Sequence, residues 1–214
     1  MAHNDKTFTI YTSTANSRKS LKHPTQIVLT VTSRNQGELF VTETPLVWKV
    51  LDFTAQSDSQ HTIVWHSDPA FAVTGRGEQS THIPVGSSGV LANVGPGVVW
   101  NTIQGKRGYV MARNETKMPQ TFTLGAVDGD DVFEGFVRFV ATPPGGAIST
   151  EPAVMLQAYT VTGYNPGKPL SQVDSNAFIF RKYDGTPQPL DLTTLTDDTA
   201  FMLSSESSGR LALE

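Results

Sequence analysis

The chain has no cysteine among its 214 residues. That excludes a disulfide framework, thiolate metal sites and a cysteine nucleophile together. It also lacks any long apolar run: nothing approaches the roughly 18 apolar residues that a membrane-spanning helix requires. Basic charge is scarce, with 16 Lys+Arg against 20 Asp+Glu and a net charge of −4. Beyond the group Arg18-Lys19 to Lys22 no basic cluster forms, which argues against a nucleic-acid partner. The first twenty residues, MAHNDKTFTIYTSTANSRKS, lack the apolar core and small-residue cleavage site of a secretory signal. The expectation is an intracellular protein, or one exported without a leader or already processed. Asn114-Glu115-Thr116 fits the glycosylation pattern, which has meaning only after secretion.

The motifs of common catalysts are missing as well. There is no G-x-S-x-G elbow and no G-x-G-x-x-G. Gly86-Ser87-Ser88-Gly89 has serines among glycines, but neither the Gly-Lys-Ser/Thr ending of a phosphate loop nor a helical pattern behind it. The expectation is a protein that is not an enzyme.

What is present is period-two alternation, the signature of strands. It is clearest over Thr121 to Thr142, TFTLGAVDGDDVFEGFVRFVAT. Phe122, Leu124 and Ala126 fall on one face of the outgoing strand; Phe133, Gly135, Val137 and Phe139 share a face on the return. Asp128-Gly129 between them predicts a type I′ turn. Similar runs recur at Lys6–Thr14, Gln26–Ser33, Glu38–Thr42, Leu46–Phe53, His61–Ser67, Phe71–Gly75, Val98–Ile103, Tyr109–Arg113, Ala153–Thr162 and Ser175–Tyr183. A hairpin joining Val98–Ile103 to Tyr109–Arg113 is expected, with Pro84 to Gly97 as the loosest stretch and one short helical turn within Asp191–Leu203. About a dozen short strands at this spacing predict an all-β chain with little helix, an antiparallel β-sandwich of Greek-key or jelly-roll type. A chain of this length buries about 70% of its unfolded surface, enough for one domain over residues 1–214. The Pro143–Pro152 stretch is the place where it would subdivide.

Three groups of residues are candidates for function. Asp128, Asp130 and Asp131, with Glu134 nearby, offer the hard oxygen ligands that calcium takes, although the same aspartates suit a hairpin tip for turn geometry alone. The five histidines are scattered; His61 and His66 stand five apart on one strand, so they point to opposite faces and do not share a zinc. The tryptophans are the third group. Trp48, Trp65 and Trp100 each lie in a strand that precedes a mixed-polarity loop, and Trp65-His66 sets a polar ring beside an indole. With Tyr109, Arg113 and Tyr159 they form the candidate ligand-binding set, apolar walls with a few polar anchors. The function expected is binding of a small, partly aromatic or pigment-like ligand in a tryptophan-lined cleft. The alternative is a lectin-like protein that stacks exposed aromatics on sugars, acting at cell surfaces. No membrane span is expected, and a homodimer through an exposed strand edge is. In size, lack of cysteine and leaderless all-β character the chain resembles several kinds of fungal fruiting-body protein, among them lectins, cytolysins and pigment carriers. That likeness is one of composition and transfers no residues.

Overall fold

Most of the alternating runs among the described residues form strands. The computed structural model describes residues 5–15, 20–34, 43–74, 79–170, 173, 177–180, 186, 188–196, 198–205 and 211–213. In chain order these form β1 (Lys6–Thr12), β2 (Thr25–Ser33), β3 (Glu43–Pro45), β4 (Lys49–Phe53), β5 (Ser59–Trp65), β6 (Pro69–Val73), β7 (Gln79–His82) and β8 (Ser87–Val94). They continue as β9 (Gly97–Gln104), β10 (Val110–Glu115), β11 (Gln120–Val127), β12 (Phe133–Thr142), β13 (Ala147–Thr150), β14 (Ala153–Tyr159), β15 (Leu190–Asp191), β16 (Thr199–Ser205) and β17 (Leu211–Leu213). A 3₁₀ turn spans Leu192–Thr194, capped by Asp191, whose side chain accepts the Thr193 N–H. No helix among the described residues is long and apolar enough to cross a membrane. The chain is all-β and sandwich-like, as its alternation predicts.

Contacts gather the chain into two compact units, each assembled from separate segments. The first takes Met1–His3, Val31–Leu46 and His66–Val154; the second takes Asn4–Thr30, Val47–Trp65 and Met155–Glu214. The Pro143–Pro152 stretch lies inside the first unit, where Gly146 N–H closes a turn onto Pro143 O and β13 follows.

The first unit holds two sheets, ordered β13-β10-β8-β9 and β3-β12-β11-β6-β7. Phe122, Phe139, Leu124 and Val137 pair across β11 and β12 and are at most 1% exposed. Trp100 of β9 packs on Phe122 of β11 at 5.6 Å between ring centroids, which brings the inner faces of the two sheets together. The β11–β12 register shifts between Leu124 and Gly125, so that Gly125 faces Gly135 and Ala126 faces Glu134. The extra residue of the bulge is on β12: Phe136 lies between the Gly135 and Val137 pairings, is 1% exposed, and its carbonyl accepts the Leu46 N–H at 2.8 Å.

Three expectations are corrected here. The turn after β11 is not type I′. Asp131 N–H bonds Asp128 O, Asp128 N–H bonds Val132 O, and the positive φ falls on Asp131 at 59°. That is a three-residue loop, a type I turn closed by one left-handed residue. The second concerns β9, which pairs with β8 rather than β10. The glycine-rich stretch read as loop therefore contains a strand, because Gly89 serves packing: a Cβ there would meet Ile83 Cδ1 at 2.6 Å and the Trp100 ring at 3.0 Å. The third is strand direction. Most pairs are antiparallel, but β10 runs parallel to β8 and β1 parallel to β16. The strands expected at Glu38–Thr42 and over most of Ser175–Tyr183 lie outside the described residues; within 177–180 there is an isolated bridge from Phe178 to Tyr159.

The second unit also holds two sheets, β17-β16-β1-β5 and β15-β14-β2-β4. Phe8 and Ile10 of β1 are fully buried, with Phe201 of β16 stacked edge-on to Phe8 at 6.2 Å. Phe53 of β4 meets His61 of β5 at 4.9 Å, tying one sheet to the other.

Candidate functional site

In the second unit β1 runs antiparallel to β5, with Tyr11 opposite Gln60 and Thr12 opposite Ser59. Where this pair opens, a cleft of about 340 Å³ is lined by Tyr11, Thr12, Ser13, Asp58, Ser59 and Gln60. Its floor is a hydroxyl knot. Thr12 Oγ1 donates to Ser57 O at 2.9 Å, lies 3.0 Å from Ser59 Oγ, and accepts the Ser59 N–H at 3.1 Å. The rim is held by Asp58, whose Oδ1 accepts from Thr14 N at 2.6 Å and Thr14 Oγ1 at 2.9 Å. Thr12 is buried, Tyr11, Ser13 and Ser59 are half-buried, and Asp58 and Gln60 are exposed.

This lining has a definite chemistry. One aromatic ring stands among five polar side chains. Asp58 commits Oδ1 to Thr14, which leaves Oδ2 as an acceptor; Gln60 offers a carboxamide with both donor and acceptor, and serine hydroxyls do either. Such a set matches a ligand that carries alternating hydroxyl groups on an apolar ring frame. It matches poorly a large apolar ligand, whose burial would leave the floor hydroxyls without water.

The candidate residues divide between the units. Trp48, Trp65 and Tyr159 lie in the second, and their side chains are spent on its core at 3%, 4% and 6% exposure. Lys49 Nζ stands 5.3 Å from the Trp48 ring centroid. Trp65 Nε1 is buried with no hydrogen-bond partner. Tyr159 donates to Gln157 Oε1 at 2.5 Å and packs on Phe178 at 4.7 Å. Burial pushes its phenol above the usual value, and a hydrogen bond with Thr30 works in the other direction.

His66, Trp100, Tyr109 and Arg113 lie in the first unit. Trp100 donates its indole N–H to Gln79 O at 3.2 Å. Lys106 Nζ covers Tyr109 at 3.6 Å, and Arg113 Nε pairs with Glu115 at 3.3 Å. His66 is half-buried. Tyr109 and Arg113 are separated from Trp100 by β8, the strand between β10 and β9.

The acidic turn is organised by its own backbone. Asp128 Oδ1 accepts the N–H groups of Asp130 and Val132, both at 2.9 Å. Asp130 and Asp131 are exposed. Among the described residues no group of three or more His, Asp or Glu is arranged to hold a metal ion. His61 Nε2 lies 2.9 Å from Asp52 O.

No local pattern points to the Tyr11–Gln60 cleft. Ser57-Asp58-Ser59-Gln60 looks like an ordinary turn and Tyr11 like a strand residue; only the β1–β5 register joins them. Comparison with protein-family models, with curated proteins and with solved structures finds no match to the chain.

Proposed function

We propose that the chain is a binding protein whose ligand is a saccharide, seated in the cleft between Tyr11 and Gln60. The observation that carries this reading is the lining: a half-buried tyrosine beside Asp58, Gln60 and two serines, over a floor of bonded hydroxyls. A pyranose has an apolar face for the ring and vicinal hydroxyls for the carboxylate and carboxamide. The cleft volume falls at the small end of ligand sites, roughly 300–1,000 Å³, which suits one or two sugar units. The test is a glycan array probed with and without calcium. Retention on a subset of glycans is expected, and Tyr11→Ala or Asp58→Ala should weaken it roughly tenfold or more, the equivalent of about 1.4 kcal/mol. A wild-type chain that binds no glycan in either condition overturns the reading.

A second reading, a small partly aromatic ligand, draws on one observation. The buried Trp65 N–H lacks an acceptor, and a ligand oxygen would supply one. Here native and denaturing mass spectra of protein from its natural source should differ by the ligand mass, and ligand addition should quench tryptophan emission. Identical masses and unchanged emission across a panel of aromatic compounds dispose of this reading.

A further inference from the structure

Sheet edges expose unmet backbone N–H and C=O groups, and proteins blunt them with short strands, charge, proline or bulges. In the first unit three edges are blunted in this way. β3 has three residues and ends in Pro45, while β7 and β13 have four each. The fourth edge, β9, is eight residues long, GVVWNTIQ, with no charge, no proline and an unbroken register against β8. No described strand pairs with its other side. Val99 and Ile103 are 38% and 51% exposed, and Val94 at the turn is 57% exposed.

The hairpin fixes which backbone groups are unmet. Val94 pairs with Gly97 across a Gly95-Pro96 turn. In a two-residue hairpin the closing pair exchanges both hydrogen bonds, and so does every second pair after it. Gly97, Val99, Asn101 and Ile103 therefore bond toward β8. The N–H and C=O groups of Val98, Trp100, Thr102 and Gln104 point away from the sheet.

We propose that β9 pairs antiparallel with β9 of a second copy, about a two-fold axis at Asn101, to make one continuous sheet. In this register Val98 meets Gln104 and Trp100 meets Thr102 as the hydrogen-bonded pairs, using the backbone groups that are unmet. Val99 meets Ile103, apolar on apolar, and Asn101 meets its own copy. Charge also favours a copy of the same strand. Continued outward, the register sets Lys106 opposite Pro96 and Arg107 opposite Gly95, so no like charges meet. Centring the axis on Trp100 instead would set Val99 against Asn101 and lose the Val99–Ile103 contact. An uncharged strand of this kind offers nothing to select an acidic or basic peptide, and its two-fold register is self-complementary.

The chain's lack of cysteine makes the test clean. Asn101→Cys places the only thiols opposite each other in a non-hydrogen-bonded pair, where Cα atoms lie about 4.5 Å apart, within the range a disulfide spans. Mild oxidation should give covalent dimer roughly tenfold faster than with Thr102→Cys, whose partner is Trp100, or Asn93→Cys on β8. Asn101→Lys sets like charges face to face and should shift the wild-type dimer to monomer in sedimentation, with an unchanged circular dichroism spectrum. If that variant fails to fold, the cross-linking comparison alone decides. A wild-type chain that is monomeric at every concentration overturns the proposal. So do equal cross-linking rates for the three cysteines, or a dimer that persists in Asn101→Lys.

Discussion

Glu43 stands across from Phe139, on the face of β3 that looks into the core. Burial pushes its carboxyl from the usual 4.5 up to about 7, and its Oε1 is buried without a hydrogen-bond partner. The folded state therefore prefers the protonated form. Its contribution to stability is fully present below pH 4.5 and is lost as pH rises through about 7. At full effect the shift would be worth about 3 kcal/mol; screening of a partly exposed group reduces this to about 1 kcal/mol. Glu43→Gln, neutral at every pH, should match wild type in melting temperature at pH 4 and exceed it at pH 8. A difference that does not change with pH would remove the argument. Asn114 shows another side of burial. It has no exposed surface: its amide donates to Met118 O and Thr142 O at 2.9 Å, and its carbonyl accepts from Thr116. The glycosylation pattern of the sequence is, in the folded chain, a sealed structural bracket. No inspection of three residues in a row could have shown that.

At the scale of elements, alternation is a strong guide to which segments are strands and a weak one to their neighbours. The pairing of β11 with β12 was legible because the two strands are neighbours in sequence, although the turn between them is not of the expected type and the bulge puts Phe133 and Gly135 on the face opposite Val137 and Phe139. Its bulge was not, since Gly125 reads as a weak strand residue until the chain is folded. A Cβ on Gly125 would collide with the Glu134 carbonyl oxygen, backbone that cannot give way, whereas one on Gly129 meets nothing within 4 Å. Gly125→Ala should therefore cost about 3 kcal/mol while Gly129→Ala costs little, a contrast readable from two melting curves. Equal losses would mean that the bulge relaxes. β8 was hidden for the opposite reason: Gly89, a residue type that elsewhere signals a turn, is there to let Trp100 and Ile83 approach. Trp48 and Trp65 are buried between strands, while the Tyr11–Gln60 cleft is lined by a tyrosine and small polar residues that carry little signal one at a time.

The whole molecule is all-β with sandwich-like pairs of sheets, as composition and periodicity imply. What no local pattern reveals is how far apart the paired segments lie. The second unit draws on both halves of the chain, and β1 sits between β5 and β16 in one sheet. Phe8 pairs with Ile63 on one side and with Thr199 on the other. During synthesis the two events are far from simultaneous. At about 5–20 residues per second, the strand that flanks β1 in parallel emerges roughly 10–40 s after β1 itself. For that interval Phe8 and Ile10 belong to a sheet that lacks one side. The newborn chain is thus committed to a long wait with an open flank, and its reliance on chaperones should be set by that delay more than by the stability of the finished protein.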